Sequence, residues 1–384
     1  MQNEIKSNII LEVRNLTCKF NENHENEIIA INNFSFNFEE NKIYFIIGNS
    51  GSGKSTLVTH FNGLLKSKNG DIRIDDFWIY GKKKKIKDTK KLRRLISMVF
   101  QFPEYQLFKT SIEKDISFGP ISLKIPKIKT KEINLKNLKE NLLANKISEI
   151  CSKLEVNFDS KINDFDTFIC ENNLSFKYKI YSEKDFGKVR IINPANKTIW
   201  SDKIFFKTMT NGDYVHEISK KYLNRMGLDD SYLERSPFGL SGGQKRRVAI
   251  AGILAIEPKV LIFDEPTAGL DPKGEQEMME IILDAKKHGQ TVIVITHTMD
   301  QVLEVADHVV VMDDGKILMH GSPYEIFCNK QLYEKSKMEK PKVIDLIDNL
   351  VAKDKKFKIL YEKQPKNIDE LSDEIKKIVL KNKK

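Results

Sequence analysis

Three motifs spaced along the chain constrain its fold more than any other feature of the sequence. They are GNSGSGKS at 48–55, LSGGQ at 240–244 and VLIFDEP at 260–266. The first is a P-loop, G-x-x-x-x-G-K-[ST], whose glycines let backbone N–H groups converge on phosphates. The apolar segment Ile43–Ile47 precedes this loop and the helical pattern Ser55–Leu65 follows it. This context of strand, loop and helix predicts an α/β fold with a nucleotide bound at the loop.

The P-loop supplies most of the predicted phosphate contacts. We expect Lys54 to place its charge at the β and γ phosphates and Ser55 to offer its hydroxyl to Mg²⁺. The other positions contribute mainly backbone N–H groups. The predicted nucleotide-binding residues of the loop are Gly48, Asn49, Ser50, Gly51, Ser52, Gly53, Lys54, Ser55 and Thr56.

Two adjacent carboxylates follow the apolar run Val260–Phe263. A buried strand that ends in a carboxylate can hold Mg²⁺ directly or through water, so we predict that Asp264 is a metal ligand. Glu265 follows on the far side of the strand end, where it can polarise the attacking water as a general base. The alternative is an ordinary acidic pair at a strand end, which the P-loop and LSGGQ in the same chain disfavour.

Composition excludes several classes of protein. The longest apolar runs are far shorter than the roughly 20 residues of a membrane span, and residues 1–10 are too short and polar for a secretory signal, so we expect no span. The four cysteines lack C-x-x-C or zinc-like spacing, which indicates a reducing compartment without disulfides.

The distribution of charge argues against nucleic acid as a partner. The net charge is +10, of which 125–210 carries +5 and 335–384 carries +6, so the rest of the chain is close to neutral. Two explanations remain open for the excess of Lys in these segments. One is a bias in composition toward Lys, Asn and Ile, and the other is a basic surface near anionic lipid headgroups.

The sequence around the motifs resembles the ATP-binding cassette (ABC) ATPases, and among them the second of the two paralogous A-type ATPases of energy-coupling factor (ECF) transporters. The resemblance covers 9–124, 211–330 and, weakly, the tail. The segments that carry it are HFNGLL at 60–65, VFQFPEYQLF at 99–108, DISFGP at 115–120, SPFGLSGGQKRRVAIAGILA at 236–255, DEPTAGLDPKG at 264–274 and THTMDQV at 296–302.

The resemblance implies an ATPase of the translocase class that uses ATP and Mg²⁺. It implies a dimer with two composite sites, in which Ser241, Gly242, Gly243 and Gln244 contact the γ-phosphate of ATP held by the partner ATPase. The partner is expected to be a paralogous A-type subunit, with a second copy of this chain left open. The dimer would lie on the cytoplasmic side of the cell membrane as a peripheral protein. It would drive a transmembrane T subunit and a substrate-binding S subunit that selects a vitamin or metal ion.

Four further residues take roles from the resemblance. His297 matches the histidine that contacts the γ-phosphate and Glu265, and Gln101 matches the glutamine that reaches Mg²⁺ or the attacking water. Asp271 matches a loop that crosses the dimer interface, and Phe20 matches an aromatic that stacks on adenine. Phe20 as an ordinary core aromatic, and Gln101 as a surface amide before a turn, are the alternatives.

The predicted fold is a P-loop ABC ATPase with a RecA-like parallel-sheet core, an antiparallel β subdomain, a helical subdomain and a small C-terminal α/β extension. The nucleotide-binding domain spans 9–334, with its core at 9–110 and 245–334. The helical subdomain, 111–244, contains an insertion at about 125–210. The extension, 335–384, is expected to add dimer contacts and to contain a strand at Phe357–Tyr361.

The segment after Gln101 is expected to couple the site to a membrane partner. Phe102, Pro103, Glu104 and Tyr105 follow this glutamine directly, and we expect Glu104 to meet a basic residue of the T subunit. The alternative is a rigid turn that Pro103 fixes.

The rival class is the ABC-type ATPases of DNA repair and chromosome structure, which also carry a long insertion. Their insertions are coiled coils, whereas 125–210 contains Pro126, Pro194, scattered aromatics and no sustained heptad repeat. The insertion itself has two open interpretations. It is either a surface segment without a catalytic role or a contact for a partner or for lipid.

Overall fold

The computed structural model describes residues 8–66, 68–83, 85–124, 175–180, 186–192, 198–205, 211–336 and 338–381. The chain divides into two compact units. The first consists of Met1–Lys124 and Ile218–Lys384, and the second of Ile125–Glu217. The predicted insertion at 125–210 therefore falls within the second unit, and the predicted extension at 335–384 belongs to the first unit together with the P-loop.

The described strands are β1 (Ile9–Phe20), β2 (Ile28–Glu39), β3 (Ile43–Gly48), β4 (Asn69–Ile74), β5 (Phe77–Tyr80), β6 (Ile96–Val99), β7 (Ser175–Ile180), β8 (Phe186–Ile192), β9 (Thr198–Phe205), β10 (Val260–Asp264), β11 (Thr291–Ile295), β12 (His308–Asp313) and β13 (Lys316–Gly321). The described helices are α1 (Lys54–Phe61), α2 (Thr89–Leu95), α3 (Ile112–Ser122), α4 (Asn211–Arg225), α5 (Gly242–Leu254), α6 (Pro272–Lys287), α7 (Met299–Val305), α8 (Pro323–Phe327), α9 (Lys330–Lys335), α10 (Lys342–Lys353), α11 (Leu360–Lys363) and α12 (Ile368–Lys381).

A six-stranded sheet, in the order β13-β12-β3-β11-β10-β6, forms the centre of the first unit. All neighbours pair in parallel except β12 and β13, which pair antiparallel. The apolar runs of β3, β10 and β11 are buried on both faces, as expected for parallel strands covered by helices. Because the carboxyl ends of parallel strands meet at one edge, the residues after β3, β10 and β11 come together there.

A four-stranded antiparallel sheet, in the order β2-β1-β4-β5, is the predicted antiparallel β subdomain. Strands β4 and β5 of this sheet form a hairpin. The turn falls at Asp75, whose φ of 52° is a left-handed conformation that Asp tolerates better than most residues. The core of this sheet and α1 includes Phe34, Phe38 and Phe61, all fully buried.

The C-terminal extension is helical rather than α/β in the part that the structure describes. Residues Lys355–Ile359 form a 3₁₀ helix that leads directly into α11, so the predicted strand at Phe357–Tyr361 is wrong. The Asp354 side chain begins this turn by accepting a hydrogen bond from the Lys356 N–H, and Leu360 is fully buried. The helical spacing of buried positions thus prevails over the apolar and aromatic content that suggests a strand.

The extension shares the main hydrophobic core of the first unit. Its buried core residues are Val343, Ile344, Ile347, Leu360 and Leu371.

The second unit contains an antiparallel sheet in the order β7-β8-β9. Within the described ranges, every helix is too short or too polar to span a bilayer.

Candidate functional site

The P-loop runs from the end of β3 to the start of α1, and two of its glycines are fixed by close backbone neighbours. A Cβ on Gly48 would lie 2.2 Å from the Met312 carbonyl oxygen, and one on Gly53 would lie 2.2 Å from the Ala30 carbonyl oxygen. Gly53 also has a φ of 95°, a left-handed conformation that favours glycine. The loop therefore depends on glycine for its path between β2 and β12.

Lys54 lies across the loop that precedes it. Its Nζ donates hydrogen bonds to the carbonyl oxygens of Gly48 and Asn49, both at 2.8 Å. Burial lowers the pKa of Lys54, while the nearby carboxylates of Glu265 and Asp264 oppose that shift. The ammonium group is thus held half-buried against the loop at the carboxyl edge of the sheet.

Ser55 and Asp264 meet across 209 residues of sequence. The Ser55 hydroxyl donates to the Asp264 carboxylate at 3.4 Å. Burial, and then repulsion from Glu265, raises the pKa of Asp264, while Ser55 and Lys54 lower it. A hydroxyl and a carboxylate are the hard oxygen donors that Mg²⁺ prefers, so the pair fits this ion chemically.

Glu265 and His297 form the second pair at the same edge. The Glu265 carboxylate and His297 Nδ1 are 2.8 Å apart, and the Glu265 backbone N–H donates to the carbonyl oxygen of Ile295. Glu265 has a φ of 49°, which is uncommon outside glycine, Asn and Asp, and bends the chain directly after β10. This strained backbone, held by β11, directs the carboxylate toward the imidazole.

A cavity of about 430 Å³ lies between the P-loop and the pair Glu265 and His297. Its walls come from β2, the P-loop, β11 and the residues that follow β10 and β11. The lining residues are Ile28, Ala30, Gly48, Ser50, Gly51, Gly53, Lys54, Ser55, Thr56, Glu265, Ile295 and His297. Sequence reasoning missed Ile28 and Ala30, because no motif marks them.

Phe20 does not line this cavity, but its cross-strand partner does. Phe20 lies opposite Ile28 at the end of the β1 and β2 pair, and 40% of Phe20 is exposed. The alternative of an ordinary core aromatic is therefore wrong for Phe20. The pairing with Ile28 is the one indication that could have led from Phe20 to the missed wall of the cavity.

The LSGGQ segment forms a capped helix N-terminus on the surface. Ser241 and Gln244 make a reciprocal capping box: the Ser241 Oγ accepts from the Gln244 N–H, and the Gln244 Oε1 accepts from the Ser241 N–H. Ser241, Gly242 and Gly243 are exposed, and a Cβ on either glycine would meet no atom of the chain within 4 Å. None of these residues lines the P-loop cavity, so this chain does not bring the two motifs together.

Gln101 and Asp271 also lie away from the P-loop cavity. Gln101 is exposed in the bend after β6. Asp271 caps α6 by accepting a hydrogen bond from the Gly274 N–H at 2.8 Å, which gives it a local structural role. A Cβ built on Gly269 would lie 4.0 Å from the Phe102 ring, so the segments containing Gln101 and Asp271 approach each other.

The expectation that Glu104 meets a basic residue of a membrane subunit is corrected by an internal ion pair. Glu104 makes two hydrogen bonds to the Arg246 guanidinium, at 3.1 and 3.2 Å. The side chains are only 16% and 7% exposed, so each neutralises a charge that would otherwise be buried alone. Charge reversal at Glu104 would therefore disturb the fold of the first unit and does not test coupling.

A second cavity, of about 450 Å³, lies between α3, α5 and the segment 100–108, which contains Gln101 and which we call the Gln101 segment. Its rim carries two aromatic rings in edge-to-face contact, Phe108 and Phe118, with centroids 4.9 Å apart. Both are largely exposed, at 56% and 42%. We call this cavity the aromatic groove.

Comparison with known proteins assigns the class. The family described as ABC transporter matches residues 31–268, which include the P-loop, LSGGQ and both carboxylates. With the fold and the site described above, this match defines an ABC-type P-loop ATPase. Solved ABC cassettes share the fold, among them cbiO1 from Clostridium perfringens, part of the ABC transporter complex cbiONQ. That structure has a TM-score of 0.54 and 28% identity, and covers 85% of this chain and 94% of its own.

Sequence relatives show to which group of ABC-type ATPases the chain belongs. The energy-coupling factor transporter ATP-binding protein EcfA2 of Mycoplasmoides gallisepticum is 44% identical over 96% of this chain and 92% of its own length. The EcfA2 of Enterococcus faecalis is 33% identical over 91% of this chain and 90% of its own length. The chain therefore belongs to the ATP-binding proteins of energy-coupling factor transporters, and it is an ATPase. The alternative of a DNA-repair ATPase finds no support.

Proposed function

We propose that the chain hydrolyses ATP with Glu265 as general base and His297 as the residue that positions it. The observation that carries this proposal is the Glu265–His297 contact of 2.8 Å on the wall of the P-loop cavity. A carboxylate held there can accept a proton from water that attacks the γ-phosphate, while the imidazole keeps it oriented. Lys54 and the loop N–H groups hold the phosphates.

Ser55 and Asp264 are proposed to hold Mg²⁺, with Gln101 joining when the site closes. The ion, when bound, neutralises charge on the β and γ phosphates. Asp264 supplies its carboxylate from the end of β10, where it contacts the hydroxyl of Ser55, a residue of the cavity wall. Phe20 is proposed to stack on adenine beside Ile28.

The complete ATP site is proposed to require a second ATPase subunit. Ser241, Gly242 and Gly243 are exposed, and in this chain they do not reach the P-loop cavity. A helix N-terminus with exposed N–H groups is suited to bind phosphate. We therefore assign Ser241, Gly242, Gly243 and Gln244 to ATP on a partner's P-loop, with Asp271 near the interface. The partner is a paralogous A-type subunit, to which the extension at 335–384 adds contacts.

His297→Ala tests the assignment of the site. Loss of the imidazole removes the contact that orients the Glu265 carboxylate. We therefore expect ATP turnover in the assembled complex to fall on the order of 100-fold. The matched control is His288→Ala, since His288 also contacts a carboxylate, that of Asp284, but lies at the end of α6. Turnover is measured at saturating ATP. Equal turnover for the two variants would reject the role of His297.

We further propose that the chain works as a peripheral subunit on the cytoplasmic side of the cell membrane. Its ATP hydrolysis would drive uptake of a vitamin or metal ion through T and S subunits. The aromatic groove is the surface we assign to a helix of the T subunit. The groove lies between the Gln101 segment and α5, the helix that begins at the LSGGQ motif. A movement of the Gln101 segment or of α5 would therefore shift a helix docked in the groove.

Phe118→Glu tests the aromatic groove. A carboxylate there opposes docking of an apolar helix, and we expect ATP-dependent uptake in proteoliposomes to fall at least 30-fold, as for an aromatic anchor of an interface. Basal hydrolysis by the ATPase dimer should persist. The control is Leu283→Glu, because Leu283 has similar exposure, 38%, on α6 outside the groove. Unchanged uptake by Phe118→Glu would remove the T subunit from this surface.

A further inference from the structure

A buried amide, that of Gln301, joins three segments of the first unit. Only 7% of Gln301 and 5% of Thr267 is exposed. The Thr267 hydroxyl donates a hydrogen bond to Gln301 Oε1, and Gln301 Nε2 donates one to the Glu275 carboxylate, both at 3.2 Å. A carboxylate only accepts hydrogen bonds, so the NH₂ group of the amide must face Glu275 and the oxygen must face Thr267. Gln301 therefore binds one neighbour with each end of its amide.

The hydrogen bond between Thr267 and Gln301 joins the two segments that carry Glu265 and His297. Thr267 lies in the turn that directly follows Glu265, and the Ala268 N–H closes this turn by donating to the Glu265 carbonyl oxygen. Gln301 lies in the first turn of α7, the helix that begins directly after the His297 loop. The bond therefore fixes the position of one segment relative to the other beyond the ends of β10 and β11.

The second hydrogen bond of Gln301 anchors its side chain on α6. Glu275 lies in the first turn of that helix, whose N-terminus is capped by Asp271. Helix α6 also packs on β11 and on α7. A buried polar network with all its members bonded is rigid. Gln301 is thus held by a packed helix on one side while it holds the turn after Glu265 on the other.

Stability alone does not account for an amide at this position. The next two residues of α7, Val302 and Leu303, are fully buried in the core, so an apolar side chain would suit position 301 as well. Apolar groups of the same shape in place of a buried hydrogen-bonded pair are often neutral or stabilising. Gln301 does not line the P-loop cavity, so an effect on hydrolysis must pass through the segments that it joins.

We propose that Gln301 is a positioning residue for ATP hydrolysis, which holds the turn after Glu265 against the helix that follows His297. This role rests on the proposed function of Glu265 and His297, whose side chains are 2.8 Å apart. The His297 side chain is 75% exposed, so little packing holds the imidazole itself in place. The relative position of the two segments therefore decides whether the imidazole meets the carboxylate. Displacement of a catalytic group by about 1 Å can lower a rate on the order of 100-fold.

Gln301→Met and Thr267→Val each remove the hydrogen bond between the two segments and nearly keep the size of the side chain. We expect kcat to fall on the order of 10-fold with KM for ATP unchanged, because the P-loop is untouched. Turnover is measured in assembled complexes whose partner ATPase carries no active general base, so that only the site with this chain's P-loop hydrolyses ATP. Thermal unfolding of each variant separates loss of folded protein from loss of rate.

Two further variants serve as controls. Thr267→Ser keeps the hydroxyl and should keep kcat. Gln290→Met removes an equally buried glutamine, 7% exposed, that donates to the Pro258 carbonyl oxygen at 2.8 Å. Gln290 directly precedes β11 and therefore lies at the opposite edge of the sheet from His297, so its loss should leave kcat unchanged.

A double variant tests whether Gln301 acts through His297. In a chain that already carries His297→Ala, addition of Gln301→Met should lower kcat by about twofold at most, because the contact that it positions is gone. A purely structural role would lower kcat by the same factor in both backgrounds. If Gln301→Met fails to fold, Thr267→Val is combined with His297→Ala in the same way.

A fall in kcat for Gln301→Met and Thr267→Val that Thr267→Ser and Gln290→Met do not share, and that disappears in the His297→Ala background, supports the positioning role. Equal kcat for Gln301→Met and Gln290→Met overturns it, as does an equal fall with and without His297. Full turnover by His297→Ala alone would reject the proposed function and the positioning role together. A loss in His297→Ala with unchanged kcat in Gln301→Met and Thr267→Val would reject only the positioning role.

Discussion

Glu265→Gln is expected to bind ATP normally and to hydrolyse it about 10⁴-fold more slowly than the unaltered chain. The amide keeps the size of the side chain and can still contact His297, but it cannot accept a proton from water. Lys54 and the P-loop backbone are untouched, so affinity for ATP should persist. Because ATP remains intact, the variant should accumulate as a closed dimer with its partner.

The measurements are ATP turnover in the assembled complex and the size of the ATPase dimer with and without ATP. Glu280→Gln is the matched control, since Glu280 is an exposed glutamate on α6 and its change removes the same charge. Turnover by Glu265→Gln within tenfold of this control would contradict the role of general base.

The sequence predicts the P-loop edge of the sheet well because its determinants are local. A strand, a glycine-rich loop and a helix follow one another within 43–61, and the apolar run before Asp264 identifies a second strand. Parallel strands end at one edge, so the approach of Ser55 to Asp264 follows from topology once both strands are recognised. The left-handed backbone of Glu265 does not follow, because tertiary contacts with β11 impose it.

Long-range side-chain contacts were beyond sequence reasoning. Glu104 and Arg246 are 142 residues apart, and the sequence around Glu104 looks like an exposed segment after a glutamine. The pairing depends on how the turn at Pro103–Gln106 packs against α5, which no local pattern encodes. The same reason explains why the strand predicted at 357–361 was wrong. Apolar and aromatic residues occur in both strands and buried helices. Here the burial of Leu360 in the core decides in favour of a helix.

The site at the P-loop is thus half of a proposed catalytic unit, and the other half is the exposed helix N-terminus at LSGGQ. The two differ in what holds them in place. The glycines of the P-loop are fixed by neighbouring backbone, since a Cβ on Gly48 or Gly53 would collide with a carbonyl oxygen. Gly242 and Gly243 face open space in this chain. Packing within the chain therefore does not explain these two glycines, whereas the proposed close approach of a phosphate from another subunit would.

Gly242→Asp is expected to lower hydrolysis about 10³-fold at the site whose P-loop belongs to the partner. A carboxylate at the first position of α5 repels the γ-phosphate, yet it suits a helix N-terminus and has room, so folding should be unaffected. ATP binding to this chain's own P-loop should survive. Turnover is measured in complexes in which this chain also carries Glu265→Gln, so that only the site with the partner's P-loop hydrolyses ATP. Asn41→Asp, which adds the same charge at an exposed turn, is the control. Equal turnover for the two variants would show that the LSGGQ segment serves no partner nucleotide.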